Sequence, residues 1–250
     1  MCTVIWARRD GGYRLIFNRD ELRTRRPAEP PRRRRVGERQ VLAPIDGDRG
    51  GTWLAVNDCG WTVCLLNREV APPAGGWGRR ESRGWIVDGL ADVRAFAGAA
   101  ERLAAIEAQS FRPFTLLCVA ADGSARVATS DGRGLSPLAS PPQPLLASSS
   151  FDEPAARAAR QRLFLERLSK AAGGAEADAA MTAFQRSHRP ARGPLSPCMH
   201  RLDARTVSQC EVVIDGPRIA LAYAAGPPCR TPLGEPVLLP RERCSTVFSG

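Results

Sequence analysis

Cysteine is the second residue of this 250-residue chain, and the polar tetrapeptide Asn18-Arg19-Asp20-Glu21 ends an apolar run, Leu15-Ile16-Phe17. Initiator methionine is normally removed before a residue as small as cysteine. The mature chain would then begin with a thiol and a free α-amine on one residue. A thiol titrates near ~8.5 and an α-amine near ~8, so the pair is matched for proton transfer around neutral pH. The thiolate would attack a carbonyl, and the amine would take and return the proton. In a strand, Asn18 and Asp20 share one face and Arg19 and Glu21 the other. A turn at Asp10-Gly11-Gly12 folds this strand back beside residues 2–7. That places Asp20 near the N-terminus, where its carboxylate would hold or orient the amine.

The elements that would position these residues follow from pattern. Strands are expected over 3–7 and 13–18, and again over 52–57 and 61–66 about the turn Asp58-Cys59-Gly60. Residues 22–40 read as an irregular, exposed stretch containing Arg32-Arg33-Arg34-Arg35 among prolines. Trp85, Ile86, Leu90, Val93, Phe96, Leu103 and Ile106 recur at helical spacing. Strands follow at 114–120, 125–129 and 145–148. Asp152-Glu153-Pro154 is a helix start with a capping side chain, and that helix is expected to reach Lys170. Another helix is expected over 175–187, then a hairpin over 206–214 and 218–223. A Pro-rich extension from about residue 226 is expected to wrap the surface. The order implies one α+β domain, residues 1–250, with a largely antiparallel sheet.

Composition narrows the function classes. With 43% hydrophobic and 25% charged residues the chain is of globular type. No apolar run spans a membrane and no secretory signal is visible, which points to the cytoplasm. The net charge of +10 is carried almost wholly by arginine; Lys170 is the sole lysine. That bias reads as GC-rich bacterial coding rather than as a nucleic-acid surface. The eight cysteines are expected to be reduced. Cys118 reads as a buried small hydrophobe. Cys198-Met199-His200 and Cys59/Cys64 contain metal-ligand types, but there is no CxxC pair, so no metal and no organic cofactor is expected.

The ordered set Cys2, Asn18-Arg19-Asp20-Glu21, Arg26-Pro27, Gly50-Gly51-Thr52-Trp53-Leu54 and Leu65-Leu66-Asn67 resembles the NRDE-domain proteins of the transport-and-Golgi-organisation type. Those are in turn similar to N-terminal-nucleophile hydrolases of the bile-salt hydrolase and penicillin V acylase kind. The resemblance implies an αββα sandwich of two stacked, largely antiparallel sheets with helices outside. It also implies cleavage or transfer at a non-peptide carbon–nitrogen amide bond of a small molecule, with Cys2 as nucleophile. The turn Asn57-Asp58-Cys59-Gly60 leading to Leu66-Asn67 matches the pattern that supplies an oxyanion donor, which makes Asn67 that donor. Arg205, in Asp203-Ala204-Arg205-Thr206-Val207-Ser208, matches an arginine that would favour the thiolate.

The sequence departs from the hydrolases where they carry an arginine three residues before the aspartate; Phe17 stands there. By strand alternation Arg19 is expected to face away from the thiol. Where they carry an asparagine before the central helices, this chain has Ser148-Ser149-Ser150, with Ser149 a possible donor. Asn18 and His200 are further candidates, His200 as a titratable group. Some relatives are associated with haem or lipid handling, which gives a rival reading: a non-catalytic carrier contacting haem or metal through Cys2, Cys198 and His200.

Overall fold

A computed structural model describes residues 2–74, 76–168, 171 and 173–242. The expected removal of Met1, the helix end at Lys170, and Cys244 lie outside them.

The two N-terminal strands are β1 (Cys2–Arg9) and β2 (Gly12–Leu22). They pair antiparallel, with Cys2 opposite Arg19 and Arg9 opposite Gly12. The reversal needs a left-handed residue, and Gly11 supplies it at φ 80°. Next come β3 (Glu29–Val36), β4 (Arg39–Ile45), β5 (Leu54–Asn57) and β6 (Thr62–Asn67). Two short helices follow, α1 (Gly84–Gly89) and α2 (Phe96–Ala104), then β7 (Phe114–Val119), β8 (Ala125–Ser130) and β9 (Leu145–Ser148). The second helical pair is α3 (Glu153–Leu168) and α4 (Gly174–Gln185); β10 (Ala204–Asp215), β11 (Arg218–Ala224) and β12 (Val237–Pro240) complete the order. Asp152 caps α3 as expected, its Oδ1 accepting from Ala155 N at 2.9 Å.

The strands form two six-stranded antiparallel sheets, ordered β12-β11-β10-β2-β1-β9 and β3-β4-β5-β6-β7-β8. Alternation sorts their side chains into three apolar layers. Val4, Trp6, Leu15 and Phe17 meet Leu54, Val56, Leu66 and Leu117 between the sheets. Ile5 and Ile16, on the other face of the first sheet, pack against Leu163 and Phe164 of α3 and Met181 and Phe184 of α4. Val63, Leu65 and Leu116 pack under Ile86, Val87 and Leu103 of α1 and α2. The layers are therefore helix, sheet, sheet, helix: the αββα arrangement.

Two expectations fail, for the arginine run and for Cys59, and the C-terminal one gains an edge strand. The arginine run lies in a strand, β3, at the edge of its sheet, where Arg33 pairs with Leu42 and Arg34 with Val41. Charge on an edge strand blocks pairing with other chains, and the Pro30-Pro31 dipeptide falls within a register shift. The Pro-rich extension contributes an edge strand, β12, with Leu221 opposite Val237; Arg33 Nε donates to Leu238 O at 2.9 Å. Cys59 is disulfide-bonded, against the expectation of reduced thiols, and its partner lies outside the described residues. Its turn is held to the C-terminal segment, since Glu242 N donates to Asp58 O at 2.7 Å. Cys118 is buried as expected, which pushes its thiol up to about 12.

Candidate active site

Because β2 lies between β1 and β10 and has helices on one face and a sheet on the other, its polar tetrapeptide is enclosed rather than solvated. Asn18, Arg19 and Asp20 are 0%, 6% and 1% exposed. Each must therefore find partners. Asn18 faces the helices and is fully used: its Nδ2 donates to Gln185 O (2.8 Å) and Pro197 O (3.0 Å), and its Oδ1 accepts from Gln209 Nε2 at 2.8 Å. It fastens α4 and the following segment to the sheet.

Arg19 corrects the sequence reading. Antiparallel register sets it directly opposite Cys2, so the two side chains share the face between the sheets. Its guanidinium pairs with Asp46, lies 3.6 Å from Glu21 and stacks 4.4 Å from the Trp53 ring centre.

Asp20 lies on the helix side of the strand end. Its Oδ1 accepts from Thr206 Oγ1 at 2.6 Å, and its Oδ2 is 3.6 Å from Arg160 Nη2. That Oδ2 is buried and has no hydrogen-bond partner. Burial raises the Asp20 carboxyl above its ordinary range, while Arg160 and then Thr206 act against that rise.

Cys2 is 5% exposed, and its backbone N donates to Ser148 Oγ at 3.0 Å. Ser148, opposite Cys2 in the β1–β9 register, is thus the serine beside Cys2. Ser149 instead accepts from Phe151 N at 3.2 Å. Burial raises the Cys2 thiol, with a further rise from the Asp20 carboxylate; the Asp20 backbone N–H and the Arg19 charge pull it back.

A cavity of ≈ 380 Å³ opens over Cys2 between the sheet ends. Arg19, Asp20, Trp53 and Asn67 line it, with Asn67 contributed by the second sheet at the end of β6. Its outer wall is rich in arginine: Arg49, Arg79, Arg80, Arg83 and Arg112. Burial first, then the neighbouring Arg112 charge, lowers Arg83 to about 10. Among the described residues, seven arginines and four carboxylates line this cavity, so a negative group is favoured there.

Arg205 does not line the cavity. It is exposed and pairs across the strands with Glu21. Its neighbour Thr206 is the residue that reaches Asp20. His200 also lies outside the cavity lining, beside Cys198, Cys229 and His188. Burial and then the Arg192 charge bring His200 down to about 4, so it is a neutral imidazole at pH 7 rather than a group titrating there. The three sequence candidates for haem are therefore not gathered on one cavity.

The residue that pattern reasoning missed is Arg160. It is 1% exposed, and Nη1 donates to Thr3 Oγ1 at 2.7 Å and to the Cys2 and Ser148 carbonyls at 3.4 Å each. One guanidinium thus ties β1, β9 and Asp20 together. A signal was present: Arg160 precedes Leu163 and Phe164 by three and four residues, so it occupies the buried stripe of α3.

A sequence model of the Transport and Golgi organisation 2 family matches residues 1–202. No curated protein matches the chain by sequence. Among solved structures, the chain is similar to a Caenorhabditis elegans N-acylethanolamine-hydrolyzing acid amidase orthologue, with TM-score 0.57, 13% identity, and coverage of 86% of this chain and 93% of that one. A variant of the conjugated bile acid hydrolase from Clostridium perfringens gives TM-score 0.50 at 13% identity, covering 90% and 89%. Penicillin V acylase from Agrobacterium tumefaciens gives 0.46 at 11%, covering 90% and 83%. At such identities the likeness is one of fold, that of the N-terminal-nucleophile hydrolases.

Proposed function

Because the chain belongs to the Transport and Golgi organisation 2 family and has an N-terminal-nucleophile-hydrolase fold, we propose that it is a cysteine hydrolase or acyltransferase. Its substrate would be a small molecule with a non-peptide amide bond and a negatively charged group. The observation that carries this reading is that Cys2 and Asn67, from different sheets, line one cavity with Arg19 and Asp20. No described helix is long and apolar enough to cross a membrane.

The chemistry follows from the placement. Loss of Met1 turns the Cys2 nitrogen into an amine beside Ser148 Oγ. The unpartnered Asp20 Oδ2 is the acceptor that an α-ammonium at this position would use. The amine takes the thiol proton, Cys2 Sγ bonds to the amide carbon, and the carbonyl oxygen becomes an oxyanion. Asn67 Nδ2 donates to that oxygen. Collapse breaks the carbon–nitrogen bond, the departing amine takes the proton, and the acyl group remains as a thioester on Cys2. Water or an acceptor amine then releases it. Arg19 favours the thiolate, the role the sequence offered to Arg205. The arginine wall orients the anionic end of the substrate.

The test is to incubate the purified protein with N-acyl amino acids, which combine an amide with a carboxylate, and to read the Cys2 peptide by mass spectrometry. A thioester adduct on Cys2, absent in Cys2→Ala, is expected. Turnover that persists in Cys2→Ala overturns the mechanism.

A further inference from the structure

Four metal-ligand side chains converge outside the cavity of Cys2. Among His188, Cys198, His200 and Cys229, the ligand atoms all lie within 4.8 Å of one another. His200 Nε2 is 3.6 Å from Cys198 Sγ and 3.5 Å from Cys229 Sγ. Zinc bonds sulfur at about 2.3 Å and imidazole nitrogen at about 2.0–2.1 Å, so a tetrahedral angle sets sulfur and nitrogen about 3.6 Å apart. The observed edges have that length. His188 Nε2 is buried without a hydrogen-bond partner, while its ring packs edge-on to His200 with centroids 5.0 Å apart.

We propose that His188, Cys198, His200 and Cys229 form a tetrahedral site of two cysteines and two histidines for a zinc ion. The four ligands close the tetrahedron, which is the arrangement of a structural rather than a catalytic site. Arg192 and Arg230 stand near His200 and oppose a bare dication. Two thiolates cancel the charge of that dication. Soft sulfur with imidazole selects zinc over magnesium or calcium.

The site would fasten parts of the chain that have little regular structure. His188, Cys198 and His200 belong to the segment between α4 and β10, and Cys229 to the turn after β11. Within this segment Met199 lies between two ligands. Its backbone N donates to Thr206 Oγ1 at 2.8 Å, and its carbonyl accepts from Thr206 N at 2.9 Å. Thr206 in turn donates to Asp20. The metal would thus fix, through Met199, the hydroxyl that positions Asp20. The site itself stands whether or not Cys2 is a nucleophile.

The test uses the full chain, purified under reducing conditions, with cobalt(II) as the probe. Saturation at one equivalent with intense visible d–d bands and a thiolate-to-cobalt charge-transfer band is expected, with zinc displacing the cobalt. Cys229→Ala should remove about half of the charge-transfer intensity, since one of two thiolates is lost. Cys229 is only half-buried, and the wild-type spectrum decides the matter without any variant. A weak six-coordinate spectrum, absence of saturation, or a Cys198–Cys229 disulfide in the reduced preparation overturns the proposal. For the positioning role, metal removal should increase hydrogen exchange at Thr206; unchanged exchange at Thr206 in metal-free protein refutes it.

Discussion

Replacing Arg160 by methionine keeps an unbranched stem of good helix propensity and removes only the guanidinium. The substitution removes the Arg160 countercharge from Asp20 and the guanidinium's hydrogen bonds to Thr3 Oγ1 and the Cys2 and Ser148 carbonyls. At the observed 3.6 Å, two unit charges in an effective dielectric of about 20 attract by about 5 kcal/mol. Breaking a buried pair by deleting one partner costs about 3–5 kcal/mol. Arg160→Met should therefore lose about 3–5 kcal/mol in urea unfolding at about pH 8. The double variant with Asp20→Asn should recover about 2–4 kcal/mol of the sum, because the uncompensated charge is gone. The sign with pH follows from the raised Asp20 carboxyl. A folded value above the unfolded ~3.9 makes protonation stabilise the fold. That stabilisation is full below the unfolded value and is lost as pH rises through the folded one. Without Arg160 the folded value rises further, so the deficit of the variant should be largest at neutral and alkaline pH and shrink on acidification. Additive single and double variants, or a deficit independent of pH, would refute the reasoning.

Three further outcomes are expected. Tyr13→Phe should cost about 1–3 kcal/mol, since the phenol bridges the sheets through Thr62 Oγ1 at 2.5 Å and Gly60 O at 3.1 Å; urea melts with unchanged slope would measure it. Asn67→Ala should lower acyl transfer to Cys2 about 10²–10³-fold while the alkylation rate of Cys2 stays unchanged, which separates oxyanion binding from thiol activation. Arg19→Gln should move the midpoint of Cys2 alkylation to higher pH, because the Arg19 charge acts against the rise caused by burial. A midpoint unchanged in the variant would remove Arg19 from the site.

How much was legible differs by element. The hairpin strands β1 and β2 could be read because Gly11 marks their turn and their apolar residues alternate between two buried faces. The layer order was implied by the resemblance rather than by periodicity. β3 was hidden because its exposed edge carries arginines, so no hydrophobic alternation signals a strand. β12 was hidden among prolines that an edge position tolerates. Cys2 and Asp20 were singled out from residue type and strand alternation and Asn67 from the resemblance, and all three line one cavity. Arg19 was assigned to the wrong face of the thiol because alternation within one strand does not give the register with its neighbour, and register alone sets Arg19 opposite Cys2. Cys198 and His200 were read as ligand types, but His188 and Cys229 were not joined to them, because a loop following α4 must fold back on the turn after β11 to gather the four.

The central claim is that Cys2 is an activated N-terminal nucleophile. It is tested most directly by peptide mass spectrometry of the purified chain, reading the N-terminal mass and the alkylation rate of every cysteine against pH. The account predicts that Met1 is absent and that Cys2 reacts faster than all other thiols below neutral pH, far ahead of the fully buried Cys64 and Cys118. Retention of Met1, or a Cys2 no more reactive than an ordinary exposed thiol or the half-buried Cys229, would contradict it.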